Sequence, residues 1–253
     1  MKGNGTKTLG APKNRLPAEP PEGTVLVRPP QKAIFRIRLV GMTPLVVSNF
    51  ETKMEEMEKR QAGTGAKRKK DPKVAANEWQ RARYQLAGGL DGVKALSVKR
   101  ALEMAAADDD TVTKTNLKWQ VFVFSQDFFD RQQEAEAKGK FLEDREGCDL
   151  LPIMNPNTGR PYGGGLGSKD APEVYTAMAR VGPQKTADVR HRPRFWPWAV
   201  DVVIRYRSDR YTQEALCNLL LKAGDVGIGE ERPSAPKASG QNGMFTIREV
   251  PKE

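Results

Sequence analysis

Histidine and cysteine are scarce in this chain, and their scarcity excludes several kinds of site. The 253 residues include one histidine, His191, and two cysteines, Cys148 and Cys217, which lie far apart in the sequence. The cysteines lack the spacing of a zinc site or of a disulfide framework. One histidine cannot form a multi-histidine metal cluster or a two-histidine acid–base pair. The sequence therefore predicts no metal centre.

Long hydrophobic runs are also missing. No apolar stretch approaches the length needed to span a bilayer, and the N-terminal segment lacks the hydrophobic run of a signal peptide. Met1–Gln31 is rich in proline, glycine and lysine, which predicts a basic, disordered arm. We expect a cytoplasmic protein that does not contact membranes, in the host cell if it is encoded by a phage. Residues 32–253 are predicted to form one domain.

Two glycine-rich segments resemble nucleotide-binding loops but lack their decisive residues. The segment "GRPYGGGLGSKDAP", which starts at Gly159, does not end in G-K-[ST] as a phosphate loop does. Gly227 and Gly229 form G-x-G, but Glu230 and Arg232 follow where a dinucleotide fingerprint needs a third glycine. The sequence therefore predicts no nucleotide cofactor. The acidic run Asp108–Asp110 has no partner acids at defined spacing, so we interpret it as a solvated turn.

Acidic residues are outnumbered by basic ones. The chain has 42 lysines and arginines against 32 aspartates and glutamates, and its net charge is +10 at pH 7. A surplus of this size favours a polyanionic partner, of which nucleic acid is the commonest. The alternative is a soluble protein that is basic without binding a polyanion.

Hydrophobic periodicity predicts both strands and helices. Period-two alternation indicates strands over Ala33–Val40, Trp119–Phe124 and Pro197–Ser208, the second of them an inner strand. Helices are predicted from Glu51, over Ala95–Ala107, from Gln126, and from Tyr211 with Thr212 as N-cap and Gly224 as C-cap. Two short strands, Asp225–Glu230 and Gly243–Val250, complete the pattern. The prediction is an α+β fold with an RRM- or ferredoxin-like antiparallel sheet, helices on one face, and large loop insertions near 61–73 and 139–182.

The segment "ADVRHRPRFWPWAV" combines alternating arginines with aromatic rings. Arginine binds phosphate with two parallel hydrogen bonds, and aromatic rings stack on unpaired bases. We therefore predict contacts to nucleic acid from Arg190, Arg192, Arg194, Phe195 and Trp196. The alternative is that the aromatic residues anchor a loop to the core and only some arginines are free; Trp198 is expected in the core.

Two loops extend the predicted nucleic-acid site. The basic run Lys67, Arg68, Lys69 and Lys70 is either a phosphate-contacting loop or a solvated one, and the sequence does not separate these readings. Near the C-terminus, Gly227, Gly229, Gly240 and Gly243 allow backbone conformations that other residues avoid. Arg232 lies in the same loop, which is predicted to follow a phosphate backbone or to reach a neighbouring subunit.

Motifs at both ends of the chain resemble those of a family of uncharacterised tailed-phage proteins. The segments "GMTPL", "RHRPRFWPW" and "GIGEERP…GQNGMF" carry the resemblance, through Gly41, Thr43, Pro44, Leu45, Arg190, Arg192, Pro193, Phe195, Trp198, Gly227, Gly229, Arg232, Pro233, Gly243 and Phe245. The closing loop is also similar, more distantly, to that of the RAMP superfamily, the RRM-like proteins of CRISPR backbone filaments. Those resemblances imply a nucleic-acid-binding protomer of an oligomer, with other phage or host proteins as further partners.

Three functions remain open from the sequence. The first is binding of single-stranded RNA or DNA by backbone charge and base stacking, without catalysis and as an oligomer or filament. The second is a metal-independent, RAMP-like ribonuclease with His191 as its base. The third is an accessory or structural phage protein that acts through protein–protein contacts.

Overall fold

The fold is known from a computed structural model, which describes residues 29–62, 74–109, 112–140, 142, 148–181, 186–236 and 240–250. The chain divides into two compact units, Met1–Pro30 and Gln31–Glu253. The second unit contains all the helices and strands described below. The predicted disorder of the N-terminal arm and the extent of the following domain stay predictions. No helix in the described part of the chain is long and apolar enough to cross a membrane.

The described residues form twelve strands and six α-helices. The strands are β1 Lys32–Gly41, β2 Leu45–Val46, β3 Tyr84–Gln85, β4 Asp91–Lys94, β5 Val121–Phe124, β6 Leu150–Pro152, β7 Met154–Asn155, β8 Arg160–Pro161, β9 Glu173–Val181, β10 Thr186–Phe195, β11 Ala199–Arg207 and β12 Phe245–Arg248. The helices are α1 Phe50–Ala62, α2 Ala75–Arg81, α3 Ala95–Ala105, α4 Lys114–Gln120, α5 Gln126–Ala137 and α6 Gln213–Val226. The prediction of an α+β protein with antiparallel sheets is confirmed.

The central sheet is antiparallel and is built around β1 and β11. Its strand order is β12–β1–β11–β7–β8, and β5 also pairs with β11. The β1–β11 ladder runs from Lys32 opposite Arg207 to Val40 opposite Ala199. The elements β1, α3, β5, β11, α6 and β12 therefore follow one another in the order β-α-β-β-α-β, and their four strands lie in the order β12–β1–β11–β5.

The hydrophobic core lies between this sheet and helices α3 and α6. Alternate residues of β1 and β11 face the helices, among them Phe35, Leu39 and Ile204. Helix α6 contributes Leu216, Leu219, Leu220 and Ala223 to the same core, as its 3.6-residue apolar period predicts. Thr212 caps the helix as predicted, because its hydroxyl accepts a hydrogen bond from the Ala215 backbone N–H at 3.1 Å.

The second predicted strand, Trp119–Phe124, is wrong at its start. Trp119 and Gln120 belong to α4, and β5 begins only at Val121. Strand β5 pairs with β11 alone among the described strands, so it is an edge strand and not the inner strand that its two apolar faces indicated. The second apolar face is explained by α5, which packs against it.

Helix α5 corrects the expectation that helices cover one face of the sheet only. Its Phe128 and Phe129 contact Phe124, with ring centroids 6.0 and 6.1 Å apart. Phe124 lies on the face of the sheet opposite α3 and α6, in one row with Val203 and Arg36. The outward face of the central sheet is therefore partly covered by a helix.

The C-terminal elements differ from the prediction at the end of α6. The helix continues past Gly224 to Val226 and is capped by Gly227, so Asp225–Glu230 does not form a strand. A Cβ on Gly224 would lie 1.9 Å from the Phe245 carbonyl oxygen. Glycine is required at this position because the helix passes very close to the β12 backbone, and not because the helix ends there.

The predicted irregular insertion at 139–182 contains four strands. Strand β6 extends a sheet of order β3–β4–β6, β7 and β8 join the central sheet, and β9 pairs with β10. Strands β9 and β10 form a long hairpin, with β2 against the base of β10. Strands β6, β7 and β8 have only two or three residues each, which is too short for a period-two pattern to reveal them.

Candidate nucleic-acid interface

The outward face of the central sheet carries cations and aromatic rings side by side. In β11, Val202, Ile204 and Tyr206 face the core, so the intervening Arg205 and Arg207 face outward. In β5, Phe122 and Phe124 face outward in the same way, and the register places Arg205 opposite Phe122. Alternation in two paired strands therefore brings an arginine and a phenylalanine together.

These side chains form a continuous patch, which we call the aromatic–cation strip and define as Lys99, Trp119, Phe122, Arg205 and Arg207. The Arg205 guanidinium carbon lies 5.1 Å from the centroids of both the Phe122 and the Phe124 ring. Lys99 reaches from α3 to place Nζ 4.8 Å from the Phe122 centroid, and the Arg207 guanidinium lies 5.8 Å from the Trp119 ring. These distances fall within the range of cation–π contacts.

Two cations of the strip, Arg205 and Lys99, have no acidic partner in the part of the chain that the structure describes. Among the described residues, no carboxylate forms an ion pair with Arg205 or with Lys99; Lys99 instead donates to the Lys118 carbonyl at 2.6 Å. Arginines elsewhere are commonly paired, such as Arg36 with Asp130 and Arg38 with Asp201. The positive charge at Arg205 and Lys99 is therefore available to a bound anion.

Arg207 and Trp119 form the open end of the strip. Asp209 accepts two hydrogen bonds from the Arg207 guanidinium, at 3.0 and 2.5 Å. This contact raises the pKa of Arg207 and lowers that of Asp209, so both groups stay charged. Trp119 is 54% exposed, with its ring beside the fixed guanidinium. A large exposed indole at this position offers a stacking surface.

The opposite end of the strip is closed by α5. Arg36 donates to Gln126 at 2.8 Å and to Asp130 at 3.0 Å, which holds the first turn of α5 on the sheet. Ser125 caps this helix by accepting a hydrogen bond from the Phe128 backbone N–H at 3.2 Å. The strip therefore extends from the edge of α5 to Trp119.

The arginines predicted in "ADVRHRPRFWPWAV" lie on strand β10, and most of them are paired. Arg190, Arg192 and Arg194 share one face of the hairpin, as their alternation predicts. Arg190 lies 3.3 Å from Asp188, and Arg194 lies 2.6 Å from Glu173 and over the Tyr175 ring. Their charge is largely compensated within the chain, although both side chains are partly exposed.

Arg192 and Arg232, both predicted to contact nucleic acid, are held by other groups of the chain. The Arg192 side chain is 8% exposed, and its Nε lies 3.2 Å from Glu230 Oε2. Arg232 donates to the Gly229 carbonyl at 2.8 Å and to the Ser234 hydroxyl at 2.9 Å. Both guanidinium groups hold the closing loop in place, and the charge of Arg192 is compensated by Glu230. Arg232 has no acidic partner among the described residues, and its predicted contact stays a prediction.

The two predicted stacking rings differ in exposure. Phe195 is 1% exposed and packs edge-on against Tyr162, with ring centroids 5.2 Å apart. A base cannot stack on a ring enclosed in the core, so the prediction for Phe195 is wrong. Trp196 is 47% exposed, and its predicted role stays open. Trp198 is buried, as expected, and donates to the Thr43 carbonyl at 2.7 Å.

His191 lies on the other face of the hairpin from the arginines. Its Nδ1 is 2.9 Å from the Thr176 hydroxyl, and its backbone N–H donates to Glu78 at 3.2 Å. The ribonuclease alternative is neither supported nor contradicted by these contacts. Within the described residues, no group of three or more metal-binding side chains is found. The basic run Lys67–Lys70 lies outside the described residues and stays a prediction.

The closing glycine loop packs onto the base of the arginine hairpin. Gly227, Gly229 and Gly243 have φ angles of 74°, 83° and 72°, and a Cβ on Gly240 would lie 2.4 Å from the Glu231 carbonyl oxygen. Glu231 accepts a hydrogen bond from the Tyr175 hydroxyl at 2.9 Å. Burial raises the pKa of Tyr175, and Glu231 adds to this, so the phenol remains a donor. These glycines therefore shape a docked loop; the predicted contact with nucleic acid or a neighbouring subunit stays open.

Sequence reasoning missed the aromatic–cation strip. The signal was present in the alternation of "KWQVFVF" and "VVIRYR", which predicts that Phe122 and Arg205 leave the core on the same side of the sheet. The pairing of β5 with β11 could not be predicted, because strand order is not encoded in either pattern. The exposure of Trp119 also depends on α4, which the sequence did not reveal.

Comparison with known proteins finds similarity to solved structures but no match to a family model or to a curated sequence. No protein-family model matches the chain, and no curated protein sequence matches it. Among solved structures, the chain is similar to Cmr6 from Pyrococcus furiosus, with 11% sequence identity and a TM-score of 0.33. The similarity covers 86% of this chain and 99% of the Cmr6 chain.

Proposed function

We propose that the protein binds single-stranded nucleic acid on the outward face of its central sheet, through the aromatic–cation strip. The observation that carries the proposal is the Arg205 guanidinium, which lies over Phe122 and has no acidic partner among the described residues. An unpaired cation fixed on aromatic rings can contact a phosphate or stack on a base. The net charge of +10 supports the same class of partner.

Single strands fit the strip better than a duplex. A stacking site needs bases whose faces are exposed, which duplexes do not offer along their length. The strip offers an exposed indole at Trp119 and a guanidinium plane at Arg207, which are adjacent to each other.

The strand order supports an RRM-like arrangement. The order β12–β1–β11–β5, with α3 and α6 on one face, matches the ferredoxin-like β-α-β-β-α-β pattern expected from the sequence. In this arrangement Phe122, Arg205 and Arg207 lie on the sheet face opposite these two helices, and Lys99 reaches Phe122 from α3. Membership of a phage or RAMP family, filament formation, and a contribution from Lys67–Lys70 remain parts of the proposal that need their own tests.

The decisive experiment is fluorescence anisotropy with the nuclease-treated full chain. The probes are a single-stranded RNA, the matching single-stranded DNA and the DNA duplex, each at low and high salt. We expect salt-sensitive binding to at least one single strand and weaker binding to the duplex. Arg205→Gln should weaken this binding about tenfold, because it removes one charged contact and one stacking surface.

A matched variant controls for net charge. Arg160→Gln removes an exposed cation on β8, outside the strip, and should leave the affinity within about twofold of wild type. Equal effects of the two substitutions would show that only total charge matters and would contradict a site at Arg205. Incubating labelled RNA with the protein and a chelator tests the ribonuclease alternative, because only catalysis yields cleaved product.

A further inference from the structure

In the part of the chain that the structure describes, no strand pairs with the outer edge of β9, which lies apart from the aromatic–cation strip. Strand β9 is the outer strand of the sheet β2–β10–β9 and spans Glu173–Val181. Between Glu173 and Arg180 the sequence "VYTAMA" contains no charge, no proline and no glycine. Natural edge strands are usually blunted by such residues, because a bare edge is a template for pairing with another strand.

The hydrogen bonds of β10 show which backbone groups of β9 face outward. The His191 N–H and the Pro193 carbonyl both point away from β9, because they bond to Glu78 and to Val47. In an antiparallel ladder the residues opposite them, Thr176 and Val174, must then also point away from β10. Met178 follows by period two, so three residues direct their N–H and C=O groups to the open edge.

The side chains of the same three residues lie together on one face. Val174 and Met178 are exposed, Met178 by 73% of its surface, and Thr176 between them is exposed as well. Val189, opposite Met178 on β10, is also exposed and continues the apolar surface. An apolar patch beside unpaired backbone groups is the combination that strand addition requires.

We propose that this edge pairs with the same edge of a second copy of the chain, antiparallel and centred on Thr176. In this register Thr176 lies opposite Thr176 of the second copy, and Val174 lies opposite Met178. On the other face, Tyr175 lies opposite Ala177. The threonine hydroxyls therefore lie opposite each other, the apolar side chains lie opposite apolar side chains, and the tyrosine ring lies opposite a small alanine. Each of these is a favourable cross-strand pair.

Self-complementarity and symmetry favour a second copy over an unrelated strand. The outward row Val174, Thr176 and Met178 has a hydroxyl at its centre and an apolar side chain on each side, so an inverted copy of the row matches it position by position. A twofold axis through Thr176 uses the same surface on both copies, as in most dimers. Registers centred on Ala177 or Met178 instead place Met178 opposite Thr176, or Thr176 opposite Arg180, so polar and apolar residues no longer match.

The first test is the mass of the nuclease-treated full chain, measured by light scattering over a range of concentrations. The wild type should be a dimer that dissociates on dilution. Met178→Pro should weaken dimerisation about tenfold or more, because proline removes an outward N–H while leaving the β9–β10 ladder intact. The control Met178→Thr keeps that N–H and should weaken dimerisation much less.

The second test fixes the register by oxidative cross-linking. Thr176→Cys should form a covalent dimer, because directly paired residues lie about 5.5 Å apart between Cα atoms, which a disulfide can bridge. Met178→Cys should not, since the two copies of residue 178 would be about 13 Å apart along the strands. The wild type, which retains Cys148 and Cys217, provides the background.

The outcomes separate this proposal from the proposed nucleic-acid site. A wild type that is monomeric at every concentration, or a Met178→Cys chain that cross-links in place of Thr176→Cys, overturns the β9 dimer. Neither result bears on anisotropy with Arg205→Gln, which tests the strip alone. Conversely, if Met178→Pro no longer dimerises while Arg205→Gln keeps the mass of the wild-type dimer, dimerisation is assigned to β9 and not to the strip.

Discussion

Arg192 of the hairpin and Glu230 of the closing loop form an ion pair in which Nε lies 3.2 Å from Oε2. The Arg192 side chain is almost fully buried, and the Glu230 side chain is mostly buried. Arg192 also donates to the His191 carbonyl at 3.2 Å. The pair therefore connects a segment rich in arginine to a loop rich in glycine.

Glu230→Gln should destabilise the fold without weakening nucleic-acid binding. The substitution leaves a buried guanidinium without its counter-charge, so we expect the free energy of unfolding to fall by about 1–3 kcal/mol. Urea unfolding followed by circular dichroism measures this loss. Arg190→Ala is the control, because Arg190 is only partly buried and should cost under about 1 kcal/mol. A loss of affinity in Glu230→Gln at full folding would instead implicate the loop in binding.

Trp119→Ala should weaken binding of a single strand with little loss of stability. Removing a stacking ring costs about 1–3 kcal/mol of binding free energy, which is about 5- to 150-fold in affinity. Trp196→Ala is a matched control, because Trp196 is a similarly exposed tryptophan outside the strip. Anisotropy with one single-stranded probe compares them directly. A larger effect at Trp196 would place the interface beside the hairpin, as the sequence predicted, and not on the sheet.

Much of the fold could be predicted from hydrophobic periodicity and from helix-capping residues. The central strands near Ala33 and Val200, the helix capped by Thr212 and the last strand were all found from local patterns, because each has one clearly buried face. The hairpin strand β9 was missed, since its exposed Met178 and paired Thr176 show no buried alternation. Alternation of buried and exposed residues therefore does not identify a strand that projects from the core.

The candidate site was harder to predict than the fold. A run of arginines and aromatic residues indicated binding, yet Phe195 is in the core and Arg192 is neutralised by Glu230, which lies 38 residues further along the chain. Arg205, for which the described residues supply no acidic partner, lies within an ordinary strand pattern. Whether a charge is free depends on the positions of the acids in three dimensions, and the sequence of one segment does not contain that information.

The buried pair Arg83–Asp91 should respond differently to single and double substitution. Arg83 donates to Asp91 at 2.7 and 2.8 Å and to the Gly164 carbonyl at 2.7 Å, with both side chains almost inaccessible. Burial raises the pKa of Asp91, and the hydrogen bonds from Arg83 oppose this. Asp91→Asn should cost about 3–5 kcal/mol, because it leaves a buried charge unpaired.

Replacing both members of that pair should cost less than replacing Asp91 alone. Apolar residues of similar size remove both desolvated charges together, so Arg83→Met with Asp91→Leu should be nearer to wild type in urea unfolding than Asp91→Asn. If the double variant were the less stable of the two, the Gly164 contact and the stacking of Arg83 on Trp79 would outweigh the ion pair.

Gly243→Ala should be far more destabilising than Gly159→Ala, although both glycines have positive φ, at 72° and 68°. A Cβ at residue 243 would lie 1.8 Å from the Ile228 carbonyl oxygen, whereas a Cβ at residue 159 would have no atom within 4 Å. The Gly159 substitution therefore measures the conformational cost alone, about 1 kcal/mol. The Gly243 substitution adds displacement of the closing loop, so we expect at least about 3 kcal/mol in urea unfolding. Equal losses would mean that the backbone at residue 243 moves away from Ile228 at little cost, and that this close approach within the closing loop contributes little to stability.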